Sequence, residues 1–231
     1  MTINNYLKKA EIPVLLGIMS SFCFSLSILR VYLSDNTFYI SLNWNLFLSF
    51  IPWIISHALT NRKNLTNRFF KWTMFLMWLV FFPNSVYILT DLFHLRRASG
   101  FPIWFDFILI TSFAWTGFVF GLISLLNIEK FLCGIFKRSF VNIILTLLLF
   151  VGSYGVYIGR YLRWNSWDII MQPILIAGDI KDQLTDPMTH KGTWGMTILM
   201  GVLLNMMFWS IKLLRHKTNF TDQFKELSHD S

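Results

Sequence analysis

Four side chains able to bind ligands or move protons stand in register: Asn84, Tyr87, Asp91 and His94, spaced i, i+3, i+7 and i+10. At about 100° per residue this spacing keeps all four on one helical face. Asp91 and His94 can offer an oxygen and a nitrogen to one divalent cation, with Asp106 or Asp168 completing the set from another segment. The same pair can act as a base and its orienting carboxylate in proton transfer. A third reading is a histidine hydrogen-bonded at a lipid interface, with no chemistry attached.

A second stripe runs Tyr154, Tyr157, Tyr161, Trp164 and Asp168, flanked by Arg160 and Arg163. Guanidinium forks match phosphate and carboxylate geometry, so the two arginines suit a lipid headgroup or an anionic envelope precursor. They could equally anchor a helix end to ordinary lipid phosphates. If the helix runs on past residue 163, the stripe ends in a cluster of both guanidiniums, Asn165, Ser166 and Asp168. The candidate catalytic groups are therefore Asp91, His94 and Asp168. The candidate substrate-binding groups are Asn84, Tyr87, Arg160, Arg163, Trp164 and Asn165. Asp179, Asp182 and Asp186 also share a face, which could hold a hard cation or simply be solvated.

The elements that carry these residues are set by hydropathy. Of 231 residues 55% are hydrophobic and only 14% are charged, against roughly 25% charged in a soluble domain. A bilayer core about 30 Å thick needs about 20 apolar residues per crossing. Runs of that length fall near 12–33, 40–59, 72–90, 103–127, 139–162 and 194–214. Their continuous apolarity lacks the alternation of barrel strands, so they are expected to be helices. The expected fold is an all-α polytopic transmembrane helix bundle of about six spans, forming a single membrane domain.

Most of the 20 Lys and Arg residues, among them Lys8, Lys9, Arg62, Lys63, Lys130, Lys137, Arg138 and Lys212, lie on the side of the N-terminus. That bias predicts cytoplasmic N- and C-termini. It also accounts for the formal charge of +8 as a topology signal with attraction to anionic lipid, so the expected partners are membrane lipids and not nucleic acid. The first run is longer than a signal core and lacks a small-residue cleavage site, so it is expected to remain as a span. Cys23 falls in the first span and Cys133 in an expected cytoplasmic loop, which argues against a disulfide, and neither has metal-site spacing. The sizeable outer loop, 163–193, opens with an apolar stretch at 167–177 too short to span, which predicts an interfacial or re-entrant segment.

Gly117 with Gly121, and Gly155 with Gly159, have the spacing that lets helix backbones approach closely. Trp44, Trp53, Trp72, Trp104, Trp164 and Trp167 lie near expected span ends, where amphipathic rings favour the headgroup layer. Pro83 removes a ladder donor just before Asn84 and loosens the helix there. Polar residues at membrane depth thus gather in the outer halves of four spans, with Asn43 and Asn45 opening the second. One reading is a site open to the outer face. The other is a set of ion pairs of Asp91 or Asp168 with Arg96, Arg97, Arg160 or Arg163 that fasten helices.

The segments Phe82-Pro83-Asn84-Ser85-Val86-Tyr87-Ile88-Leu89-Thr90-Asp91-Leu92-Phe93-His94-Leu95 and Gly159-Arg160-Tyr161-Leu162-Arg163-Trp164-Asn165-Ser166-Trp167-Asp168 resemble a multi-pass membrane family known as domain of unknown function 1361. The resemblance covers the second span to the last and implies a bacterial cell membrane. Ser85 stands where that family commonly has Ala. No activity is implied, but the two motifs contain the same candidate catalytic and binding residues.

Three function classes remain open: an outer-face enzyme or headgroup binder, a small-solute transporter, and an accessory or structural membrane protein. A transporter needs polar groups along a whole path, and the inner half is nearly bare apart from Asn142 and Asn205. Walker-type phosphate loops, His-Glu-x-x-His, Gly-x-Ser-x-Gly and Cys-x-x-Cys motifs are absent, which argues against ATP-driven transport by this chain alone. A divalent cation is compatible with the residues but not required by them.

Overall fold

The structure is a computed structural model that describes residues 3–34, 37–61, 67–95 and 102–229, with side chains at 11–34, 37–60, 67–93, 95 and 102–214. Arg62, Lys63, Arg96 and Arg97 and the side chains of Lys8, Lys9 and His94 lie outside the described set. Among the described residues there is no strand, and six helices are long and apolar enough to cross a membrane. The protein is a multi-pass helical membrane protein.

The helices are α1 (Ile3–Ser34), α2 (Ser41–Asn61), α3 (Arg68–Tyr87), α4 (Ile103–Cys133), α5 (Arg138–Tyr157), α6 (Asp168–Met171), α7 (Pro173–Thr185) and α8 (Lys191–His229). Six of them alternate in direction, so both chain ends share one face of the bundle, here called the terminal face. The segment 163–190 lies at the other, the loop face.

The most buried span is α4, with 61% of its apolar window inside the protein. It packs against α1, α2, α3 and α5, and small residues make these contacts close. A Cβ on Gly121 would lie 2.8 Å from Ser85 Cβ, and one on Gly117 would lie 2.8 Å from Ile88 Cδ1. On the opposite side of α3, a Cβ on Gly155 would lie 2.9 Å from Pro83 Cβ and closer still to its Cγ. The paired glycines therefore serve helix packing, and they hold the Phe82–Ile88 stretch between α4 and α5. With lipid tails as apolar as leucine, such close approach is a main source of helix association.

Two hydrophobic clusters result. One is centred on Trp78, Phe82, Leu125, Leu145 and Phe208, and the other on Leu46, Leu109, Phe113 and Cys23. Trp78 is fully buried and its indole N–H donates to Ser124 Oγ at 3.2 Å, as a polar tip in an apolar core requires.

The segment expected to be interfacial or re-entrant forms α6 and the start of α7, joined at Gln172. Ile170, Met171, Ile174 and Leu175 project outward from it while Ile176 is buried. Past α7, Thr189 donates from its hydroxyl and its amide to Asp186, which holds that carboxyl below its usual range.

Candidate functional site

Pro83 lies inside α3 and removes the amide that would bond to the carbonyl one turn earlier. Polar side chains gather at this turn. Asn84 Nδ2 donates to Phe81 O at 3.0 Å and to Ser166 Oγ at 2.8 Å, and Ser166 Oγ donates to Val80 O at 3.1 Å. From α2, Ser49 Oγ donates to Asn84 O at 3.1 Å. The loosened turn is thus tied both to its neighbour and to the loop after α5.

One turn later α3 tightens into a 3-10 helix, Ile88–His94. At about three residues per turn, Asp91 and His94 are brought into line with one another more closely than an α-helix would bring them. The shared face expected from α-helical spacing therefore divides at Tyr87. Asp91 is buried and accepts from Asn45 Nδ2 at 3.0 Å and from Arg160 Nη2 at 2.6 Å. Arg160 Nε donates to Thr90 Oγ1 at 2.8 Å, whose hydroxyl donates onward to Tyr87 O at 2.6 Å. The guanidinium also lies 4.6 Å from the centre of the Tyr87 ring, within cation–π range. Arg160 is thereby fixed on several sides, and Tyr87 is backed by a neutralised charge.

The second stripe is not one continuous helix. α5 widens into a π-helical turn at Ile158–Leu162 and stops at Arg163, which takes a left-handed conformation with φ 60°. The reversal is held in place by the next five residues. Trp164 turns back so that its N–H donates to Asp179 Oδ2 on α7 at 2.7 Å, and Asp168 Oδ2 caps the amide and side chain of Asn165 at 2.7 and 3.1 Å.

The expected cluster of two guanidiniums, Asn165, Ser166 and Asp168 does not form. Arg160 points to Asp91, while Arg163 is exposed and its side chain makes no hydrogen bond among the described residues. Tyr157 and Tyr161 stack at 4.9 Å, and Tyr154 leaves the stripe to bond Gln183 and stack on Trp194.

Between α3, α5 and α7 lies a cavity of about 240 Å³. Asn84, Tyr87, Asn165 and Ser166 contribute polar groups to its lining, and Ile169, Ile176 and Ile180 are part of its apolar wall. Trp164 also lines it, whereas Asp91, Asp168 and Arg163 do not.

The other sequence candidates are placed elsewhere. Asp106 does not approach Asp91: it is buried on α4 and holds Arg30 of α1 through Nε at 2.6 Å and Nη2 at 3.3 Å. Motif spacing does not single out Arg30. Its signal in the sequence is a lone guanidinium in an apolar span and a lone carboxylate in another, a combination that demands pairing. Asn45 and Thr90 are the other partners that spacing alone does not reveal.

Of the loop acids, Asp179 is engaged by Trp164 and Asp186 by Thr189. Among the described residues no three His, Cys, Asp or Glu side chains come close enough together to hold a metal ion.

No curated protein and no solved structure matches this chain. A family model described as "Protein of unknown function (DUF1361)" matches residues 44–207, which include every candidate catalytic and binding residue and well over half of the sequence. The chain therefore belongs to the DUF1361 family.

Proposed function

We propose that the protein binds an amphiphile at its loop face, a membrane lipid or a lipid-linked envelope precursor, with the polar part of the ligand against Asn84, Tyr87, Asn165 and Ser166. The observation that carries this reading is the composition of the 240 Å³ cavity, which combines uncharged polar side chains with an isoleucine-rich wall. A mostly apolar lining with a few polar groups is typical of small-molecule sites. The outward apolar residues Ile170, Met171, Ile174 and Leu175 suit a segment lying in the headgroup layer, where such a ligand would enter.

The termini are taken as cytoplasmic and the membrane as the cell membrane, which opens the cavity to the extracytoplasmic side. In this reading Asp91 and Arg160 are positioning residues that hold Tyr87. Arg163, one residue from Trp164, is the charge available to an anionic headgroup. Binding is favoured over passage, because buried Phe82, Phe118, Leu125 and Leu149 separate the loop-face polar groups from those at the terminal face.

The test is lipid retention on detergent-purified protein, read by native mass spectrometry with a total lipid extract as probe. Ile176→Trp, which fills the cavity, should abolish retention at this site, and Arg163→Gln should weaken anionic species selectively. Unchanged retention in Ile176→Trp would leave the accessory or structural reading in its place.

A further inference from the structure

We infer that the terminal face carries a separate site for an anionic diacyl phospholipid, in a groove between α1 and the α2–α4 pair. The proposal does not depend on the loop-face cavity, which lies at the other end of the bundle.

The first observation is how α1 is attached. Among the described residues its polar contacts to other helices come from its second half, where Cys23 Sγ meets Thr116 Oγ1 at 3.3 Å, Ser27 Oγ accepts from Asn43 at 2.8 Å and Arg30 pairs with Asp106. Towards the terminal face a groove of about 410 Å³ opens, with Gly17, Phe24, Phe47, Phe50 and Phe120 in its walls. A Cβ on Gly17 would meet nothing within 4 Å. Such a channel takes an acyl chain.

The second observation is what the groove leads to. Pro13 and Trp53 line both it and a chamber of about 440 Å³ at the helix ends, whose polar lining is His57, Thr60, Asn127 and Lys130. An apolar channel that continues into a polar basic chamber at headgroup depth has the polarity of a phospholipid.

The third observation concerns the charge that the chamber offers a headgroup. The carboxylate next to Lys130 in sequence, Glu129, is already bonded to Lys212 Nζ at 2.7 Å, and Lys212 also donates to Asn142 at 3.1 Å. Lys130 is exposed and makes no ion pair among the described residues. A basic group in this chamber with its adjacent acid committed elsewhere complements a phosphate diester carrying net negative charge.

The experiment compares retention of dioleoyl phosphatidylglycerol and dioleoyl phosphatidylcholine by the full chain, using native mass spectrometry. Wild type should retain the anionic lipid in preference. Lys130→Gln should lower that retention about fivefold, the effect of one basic group near a lipid surface. Gly17→Trp, which fills the groove from a lipid-facing helix, should reduce retention of both lipids, with circular dichroism confirming that the bundle is intact. Lys137→Gln, on the same face but outside the chamber, should leave retention unchanged. Equal retention of the two lipids by wild type would overturn the proposal. So would a loss in Lys137→Gln that matches Lys130→Gln, or wild-type retention in Gly17→Trp.

Discussion

Asp91 and Arg160, 69 residues apart in sequence, form an ion pair of 2.6 Å that joins the end of α3 to the end of α5 beside the Tyr87 ring. Both are largely buried, so removing one leaves the other as an uncompensated charge, a loss of about 3 kcal/mol or more. Asp91→Asn and Arg160→Gln are each expected to lower the melting temperature in detergent. Arg160→Lys should not rescue, because Nε and Nη2 serve two different acceptors, Thr90 and Asp91, and an ammonium cannot reproduce that fork. A lysine variant as stable as wild type would show that charge alone matters here.

Arg30 and Asp106 are each 1% exposed. Arg30→Met or Asp106→Asn alone should destabilise by about 3 to 5 kcal/mol, whereas Arg30→Met with Asp106→Leu should recover most of that loss, because a hydrophobic pair has no desolvation penalty. Thermal unfolding of the three variants in detergent decides this. A double variant no better than the singles would mean that the pair also sets the position of α1.

Gly155 has no room for a side chain against Pro83, while a Cβ on Gly178 would meet nothing within 4 Å. Gly155→Ala is expected to cost about 1 to 3 kcal/mol by overpacking. Gly178→Ala, inside α7, should be neutral or stabilising by up to about 1 kcal/mol through helix propensity. Melting-temperature shifts of opposite sign in the two variants would confirm that the glycine pairs act through backbone approach.

Cys133 is exposed at the last residue of α4, and Cys23 is buried. With the terminal face in the cytoplasm, a membrane-impermeant maleimide should label Cys133 only after permeabilisation of cells, and should leave Cys23 unlabelled in both conditions. Labelling of intact cells would reverse the assigned orientation and place the 240 Å³ cavity on the cytoplasmic side.

Much of the architecture is legible in the sequence because it is imposed by the solvent. Runs of about 20 apolar residues must be helical in lipid, since no water is present to bond their backbone. The glycine pairs mark the close contacts, and Asn84, Tyr87, Asp91 and Arg160 stand out as polar groups at membrane depth.

Spacing cannot say which of them meet. It assumes one helical pitch, yet the chain tightens at Ile88 and widens at Ile158 before Arg163 turns left-handed, and each change redirects the side chains beyond it. Pairing is a property of neighbouring helices: Asp91 has four arginine candidates in sequence, and only the packing of α3 against α5 selects Arg160. Asp106 is drawn away from the site in the same manner, by Arg30 on a helix that hydropathy describes merely as a span. Composition and periodicity determined how many times this chain crosses a bilayer and which of its residues are out of place there. The tertiary structure decided which of those residues satisfy one another, because a buried charge is stable only beside the partner that the fold delivers.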